Sequence, residues 1–292
     1  MWFLNAIKEL CACKVNLYLD VTGRRPDGFH TVRSLMHSLS LADEITVSRT
    51  QGNAVRLTVQ GAGFLPTDDR NLAVRAAKAF LSALGITDGV NITLKKNIPV
   101  AAGLAGGSTD AAGVLRAMNK LYRKPFTRSM LLKIAAGLGS DVPYCLVGKT
   151  ALCEGRGEIL TPVPDISLHT VVAISNEHVS TPEAYSLLDA KFDGFTSPCQ
   201  HGDADTLRWL DSGCRGEFSS DMLFNIFESV ILPKCPGADS IKRGMLSLGA
   251  KAALMSGSGP SVFGIFDTES AARDCADLLR SQGYFASYAR SV

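Results

Sequence analysis

The stretch Pro99-Val100-Ala101-Ala102-Gly103-Leu104-Ala105-Gly106-Gly107-Ser108-Thr109-Asp110 constrains this chain more than any other. It lies between an alternating run at 90–98, which reads as a strand, and an amphipathic run at 109–122, which reads as a helix. Three glycines and three alanines leave little side-chain bulk, so backbone amides can close on a ligand. Ser108 and Thr109 stand at the start of the helix, where free amides and the positive end of the helix dipole favour an anion such as phosphate. Two common phosphate loops are excluded. No Gly-Lys-Ser/Thr follows, as a Walker A loop requires, and Gly-x-x-Gly-Gly stands where a dinucleotide fingerprint needs G-x-G-x-x-G. A glycine-rich turn alone also fits close helix packing; the Ser-Thr pair tilts the reading toward phosphate.

Around this stretch, residues 13–21 alternate, with Val15, Leu17, Leu19 and Val21 on one face and Lys14, Asn16, Tyr18 and Asp20 on the other. That pattern predicts a half-buried strand with a polar face free for chemistry. Pro26-Asp27-Gly28 marks a turn, and two strand-like runs at 43–49 and 54–60 around Gly52-Asn53 predict a hairpin. Leu72, Ala76, Phe80 and Leu84 recur at helical spacing, with Asn71 as N-cap and Gly85 as stop. A third helix is expected at 128–138. Further on the pattern predicts strands at 150–155 and 169–174, a short helix near 182–190, and an irregular connection over 191–216. Helices at 220–231 and 237–248 follow, then strands at 251–256 and 261–267 around a glycine loop, a helix at 269–283 and a strand near 284–289. This order predicts an α+β protein of two domains, 1–160 and 161–292.

Composition removes several function classes. With 46% hydrophobic and 20% charged residues, the 292-residue chain can bury a large core and is not disordered. A net charge of +2 without a basic stripe argues against nucleic acid as a partner. No run reaches the ~18 apolar residues of a membrane span. Lys8 and Glu9 interrupt the apolar start, so a cytoplasmic protein is expected. The eight cysteines form no C-x-x-C pair and read as reduced structural thiols. The five histidines are scattered, with no zinc-type spacing, so a transition-metal enzyme is not expected.

Three further segments are unremarkable when read singly. Lys14-Val15-Asn16 fits a solvated strand face, Gly139-Ser140-Asp141-Val142-Pro143 an ordinary turn, and Ser256-Gly257-Ser258-Gly259-Pro260-Ser261 a tight turn between strands. Together with the 99–110 stretch, and in this order, they resemble the GHMP kinases, a superfamily of small-molecule kinases; the resemblance runs from Lys14 to about Phe263. Within it the chain is most similar to the 4-diphosphocytidyl-2-C-methyl-D-erythritol kinase family. The deciding segments are Lys14 through His30, ending in Arg25-Pro26-Asp27-Gly28-Phe29-His30, and Val179-Ser180-Thr181-Pro182-Glu183-Ala184-Tyr185.

The resemblance implies a two-domain GHMP kinase fold, with a ribosomal-protein-like N-terminal α/β domain and a ferredoxin-like C-terminal domain. It implies ATP and Mg²⁺ as cofactors and transfer of the γ-phosphoryl group to the 2-hydroxyl of the methylerythritol unit, in the non-mevalonate route to isoprenoid precursors. Asp141 would be the base and Lys14 its cationic neighbour. Residues 99–109 would wrap the triphosphate, with Ser108 contributing to Mg²⁺ coordination. Phe29 and Tyr185 would stack on cytosine, His30 would read its edge, and Asn16 would bind a polar group between the two ends. A bacterial enzyme, monomeric or weakly dimeric, is expected. Two departures stand out: Cys11 and Cys13 flank Ala12 where the family usually has Ala-Pro-Ala, and Phe29 replaces the commoner tyrosine. The rival readings are a homoserine- or mevalonate-type kinase and an inactive regulatory module of the same fold. The Arg25–His30 segment argues against the first, and the presence of both Lys14 and Asp141 against the second.

Overall fold

The alternation at 13–21 is drawn into a longer strand, β1 (Ala6–Arg24), in a computed structural model that describes residues 6–195, 201–202, 204–215 and 217–292. The polar side of β1 is not free, as the alternation suggested. Lys14, Asn16, Tyr18 and Asp20 are as buried as the apolar residues between them, none more than 4% exposed. Alternation reports which residues share a face, but not whether something covers the polar one.

The chain forms two compact units, each assembled from separated stretches. One takes the N-terminal stretch to Cys13, Ala42–Val100 and Ala105–Val147; the other takes Lys14–Leu41, Ala101–Leu104 and Gly148–Val292. Neither is continuous in sequence, so a single cut at residue 160 describes chain order rather than these units.

In the first unit, the later part of β2 (His30–Thr50) pairs antiparallel with β4 (Gly89–Lys95), from Glu44 opposite Lys95 to Thr50 opposite Gly89. β3 (Val55–Gln60) pairs with β4 in parallel. The hairpin expected over 43–60 therefore does not form, because β4 lies between its two strands. Val90, Ile92 and Leu94 explain the preference: all three are essentially inaccessible, which a central strand allows and an isolated hairpin does not. Helix α1 (Leu72–Leu84) begins and ends as the sequence predicts. The Asn71 side chain accepts from the Ala73 amide, and Gly85 closes the helix in the left-handed conformation. Helix α2 (Gly106–Leu121) begins inside the glycine-rich stretch rather than after it. α3 (Arg128–Ala136) is followed by α4 (Val142–Val147), a short helix with no periodic signal.

In the second unit, β5 (Thr150–Glu154) pairs antiparallel with β2 and with β6 (Ile159–Pro162). A separate antiparallel sheet follows the order β11-β7-β10-β9, formed by β7 (His169–Ile174), β9 (Ala252–Met255), β10 (Val262–Phe266) and β11 (Phe285–Arg290). Helices α8 (Pro236–Ser247) and α9 (Glu269–Ser281) bury Ile241, Met245, Cys275 and Leu279 in one core with Val171, Ala253, Met255 and Val262 of that sheet. Two helices on a four-stranded antiparallel sheet is the ferredoxin-like pattern expected. Also in this unit is α5 (Thr181–Lys191), capped by Ser180.

Two expectations fail here. The connection at 191–216 contains helix α6 (Ala204–Asp211), with Thr206, Trp209 and Leu210 buried; residues 196–200, 203 and 216 lie outside the described set. The helix expected at 220–231 is broken into a 3₁₀ turn at Ser220–Met222, a two-residue strand β8 (Phe224–Asn225) parallel to β1, and α7 (Glu228–Ile231).

The seven described cysteines are buried free thiols, and Cys199 lies outside the described residues. Burial pushes the Cys11 thiol up to about 12, so it is an inert packing group. Its sulfur fills the space over Gly113, where an added Cβ would lie 2.1 Å from it. Among the described residues no helix is long and apolar enough to cross a membrane.

Candidate active site

A strand places every second side chain on one face, and Lys14 and Asn16 are such a pair. The Lys14 ammonium donates to Asn16 Oδ1 at 2.7 Å and to the Gly103 carbonyl at 3.0 Å. Asn16 Nδ2 donates onward to Ser34 Oγ at 2.7 Å, and Ser34 Oγ to the Tyr18 carbonyl at 2.8 Å. Burying an ammonium is costly unless acceptors meet its hydrogens. Here Asn16 is itself held by Ser34, so the Lys14 head is fixed in place.

Gly103 has φ of +73°, and a Cβ on it would lie 2.2 Å from the Ser256 carbonyl oxygen. Gly257 approaches from the second glycine loop, where an added Cβ would lie 2.9 Å from the Gly103 oxygen and 3.3 Å from Lys14 Nζ. The Ser256 hydroxyl donates to the Gly103 carbonyl at 3.1 Å, and the Ser261 hydroxyl donates to that of Ala102. The segment 256–261, which alone reads as a tight turn, thus meets Ala101–Leu104 and Lys14 at one carbonyl. Asn225 holds this loop by donating from Nδ2 to the carbonyls of Met255 and Gly257 at 2.7 and 2.9 Å. Its Oδ1 accepts from the Phe227 amide at 3.0 Å, which also explains the break in the expected helix. Sequence reasoning missed Ser34 and Asn225. The only signal for Asn225 is one amide side chain inside the apolar run 223–227.

The rest of the glycine-rich stretch opens α2. Ala105, the N-cap, is left-handed at φ +57° and supplies no side-chain cap. The first helical bond runs from the Thr109 amide to the Ala105 carbonyl at 2.9 Å. The amides of Gly106, Gly107 and Ser108 precede that bond and have no intrahelical acceptor. Ser108 is half-buried on this turn. Thr109 differs, being buried, with its hydroxyl donating to the Ala12 carbonyl at 2.8 Å. Pro99 is half-buried, Val100 and Ala101 are exposed, and Ala102 and Leu104 are buried.

Lys96, buried close to Gly106, is bonded to Asp43 and, at 2.9 Å, to Asp110 Oδ2. Asp43 Oδ1 also accepts from the amides of Asn97 and Ile98 at 2.6 and 2.8 Å. Burial raises the Asp110 carboxyl to about 7, against the pull of Lys96. Burial opposes the Lys96 charge, but the two carboxylates outweigh it and hold this ammonium above the ordinary lysine range. Asp141 sits in the turn before α4, half-buried, and its carbonyl accepts from the Cys145 amide at 3.0 Å. Arg116 of α2 donates to the Cys145 carbonyl at 2.9 Å and so anchors that short helix.

A second cluster lies at the start of β2. The His30 ring stacks on Tyr185 of α5, with centroids 4.7 Å apart and planes at 28°. Phe195 meets the same imidazole edge-on at 5.7 Å. His30 Nε2 is 2.7 Å from Asp189 Oδ1. Tyr185 also meets Phe227 edge-on at 4.9 Å. The structure brings His30 and Tyr185 together but leaves Phe29 apart. Phe29 is 51% exposed, with the Arg156 guanidinium 5.0 Å over its ring.

Two family models match this chain. Residues 71–149 match the GHMP kinases N terminal domain, and residues 209–284 match the GHMP kinases C terminal domain. A 4-diphosphocytidyl-2-C-methyl-D-erythritol kinase from Clostridium botulinum is 39% identical over 274 residues, 92% of this chain and 94% of that protein. The chain belongs to the 4-diphosphocytidyl-2-C-methyl-D-erythritol kinase family. A Lachnospira eligens member is likewise 39% identical, over 96% of each chain. A crystal structure of 4-(cytidine 5'-diphospho)-2C-methyl-D-erythritol kinase superposes with a TM-score of 0.80 at 33% identity, covering 97% of this chain and 98% of that one. Homoserine kinase from Cytophaga hutchinsonii, at 22% identity and a TM-score of 0.72, shares the fold.

Proposed function

We propose that this chain is an ATP-dependent kinase that phosphorylates the 2-hydroxyl of 4-diphosphocytidyl-2-C-methyl-D-erythritol, in non-mevalonate isoprenoid precursor biosynthesis in the bacterial cytoplasm. The observation that carries the reading is the buried Lys14 ammonium held on the Gly103 carbonyl between two glycine loops, in a chain of this family. Phosphoryl transfer depends on positioning and on neutralising charge, and Lys14 supplies a fixed cation for both. Asp141 accepts the proton of the attacking hydroxyl. A tertiary alcohol is crowded, so orientation counts for more than base strength.

Residues 99–109 cradle the triphosphate, chiefly through the amides that open α2. Thr109, Ala102 and Leu104 of the same stretch are buried. Mg²⁺ suits the donors present only as part of the nucleotide complex. Among the described residues no three carboxylate, histidine or cysteine side chains gather into a cage. The Ser108 hydroxyl would give one oxygen to an ion held mainly by phosphates and water, and the ion would supply further neutralisation of phosphate charge. Asn16 positions Lys14 and faces the polar part of the substrate. Phe29, His30 and Tyr185 bind cytosine. The domain division at about residue 160 belongs to the same proposal, supported by the two family models falling on either side of it. A monomer or weak homodimer that binds neither nucleic acid nor membrane completes it.

The test is ADP release with Mg·ATP and a panel of alcohols. Turnover with the cytidyl substrate and not with homoserine, mevalonate or galactose is expected. Turnover confined to another alcohol, or none across the panel, would overturn the proposal.

A further inference from the structure

The base-side cluster contains a carboxylate to which no role has yet been given. Asp189 lies on α5 one helical turn after Tyr185, so the helix delivers a ring and a carboxylate to the same imidazole. Asp189 Oδ1 is 2.7 Å from His30 Nε2, and the His30 side chain is only 8% exposed. Arg24 Nη1, 3.7 Å from Asp189 Oδ2, keeps a positive charge beside the carboxylate. Among the described residues, His30 Nδ1 has no hydrogen-bond partner.

These contacts determine where the imidazole hydrogen sits. A carboxylate has only acceptors, so the nitrogen facing it must carry the hydrogen. In neutral imidazole the other nitrogen, Nδ1, then presents a lone pair. Turning the ring over would put carbon in place of both nitrogens and break the Asp189 bond. Tyr185 on one face and Phe195 at the edge further restrict that rotation. In its neutral form His30 therefore offers a fixed acceptor. Cytosine presents an amino donor at N4, where uracil presents a carbonyl acceptor. An acceptor at Nδ1 pairs with the first and repels the second.

We infer that Asp189 is a specificity-determining positioning residue: by holding His30 with its hydrogen on Nε2, it makes the site select a cytidyl over a uridyl diphosphate substrate. The inference rests on the cytidyl reading given above and adds to it a residue and the base discrimination that residue controls. Asp189 does not itself touch the base.

The experiment compares kcat/KM for 4-diphosphocytidyl-2-C-methyl-D-erythritol and its uridine analogue in the wild type and in Asp189→Asn. An amide can turn its NH₂ toward Nε2, which drives the hydrogen to Nδ1 and converts the acceptor into a donor. The wild type should prefer the cytidyl compound by at least about 100-fold, the scale of one buried donor–acceptor mismatch. In Asp189→Asn that ratio should fall by about 10- to 100-fold, with an absolute gain for the uridyl compound. A uniform loss on both substrates at an unchanged ratio would mean that Asp189 merely supports the fold, and would overturn the inference. Wild-type failure on both nucleotides would instead overturn the cytidyl reading, and this inference with it. Should Asp189→Asn not fold, ¹⁵N NMR of the wild type still decides. His30, assigned by its loss in His30→Gln, should show in its neutral form a protonated Nε2 and a bare Nδ1. The opposite tautomer would sink the proposal.

Discussion

The cluster around Lys14 and the cluster around His30 lie in the same compact unit, and they are built from opposite materials. Around Lys14 the parts are glycines, backbone carbonyls and short polar side chains. Lys14, Asn16 and Ser34 are almost wholly buried and hydrogen-bonded in sequence. Around His30 the parts are rings: Tyr185 stacks on it, Phe195 meets it edge-on, and Phe227 meets Tyr185 edge-on. Close approach of two loops requires residues without Cβ atoms, and a buried ammonium requires acceptors in set positions. A flat base requires only faces and one correctly placed polar atom. The first cluster should therefore respond to small displacements with large losses in rate, and the second mainly with losses in affinity and selectivity.

The sharpest way to break this comparison is to remove the charges assigned to the chemistry. Lys14→Ala and Asp141→Ala should each lower kcat by roughly 10³-fold while circular dichroism still shows a folded protein. Turnover near that of the wild type in either variant would end the assignment. Next comes Gly103→Ala, whose Cβ has no room against the Ser256 carbonyl and whose φ is positive. We expect a stability loss of about 2 kcal/mol in urea unfolding and a kcat lower by on the order of 100-fold, since a 1 Å misplacement at a reacting centre costs that much. At the other cluster, Tyr185→Ala should raise KM for the cytidyl substrate about 10-fold and leave kcat within about 3-fold. A fall in kcat to match that of Gly103→Ala would erase the distinction between the two ends.

A histidine away from both clusters serves as the control with the smallest effect on turnover. His37 is buried between the Thr150 and Ser291 hydroxyls, at 2.8 and 2.7 Å, and burial pulls its imidazole down to about 4. Because the folded value lies below the ordinary 6.5, folding favours the neutral form. The resulting stability is complete above pH 6.5 and is lost as pH falls through about 4. Urea unfolding should show the wild type losing roughly 2–3 kcal/mol more than His37→Gln between pH 7.5 and pH 4, with equal activities at neutral pH.

Local chemistry in the sequence was legible wherever one residue decides a local outcome. Asn71 and Gly85 bound α1 as expected, because a cap depends on a side chain and a φ angle within one turn. The glycine-rich stretch was recognisable because small residues before Ser108 leave few uses for the backbone there. Long-range pairing was not legible. The run at 54–60 looked like the second half of a hairpin, yet β4, from some thirty residues later, took the place beside β2. The run at 220–231 had helical content, yet Asn225 uses its amide to bind loop carbonyls and interrupts the helix.

The sequence by itself determined the family, the α+β class and the buried periodicities, and it singled out Lys14, Asn16, the glycine-rich stretch, His30 and Tyr185, because these are carried by side-chain type and short spacing. Only the tertiary structure decided which polar groups meet. Lys14 finds the Gly103 carbonyl 89 positions away, and His30 finds Asp189 159 positions away. A polar side chain bears no mark of its partner. The partner is set by the path of the chain, and burial then makes that one hydrogen bond obligatory.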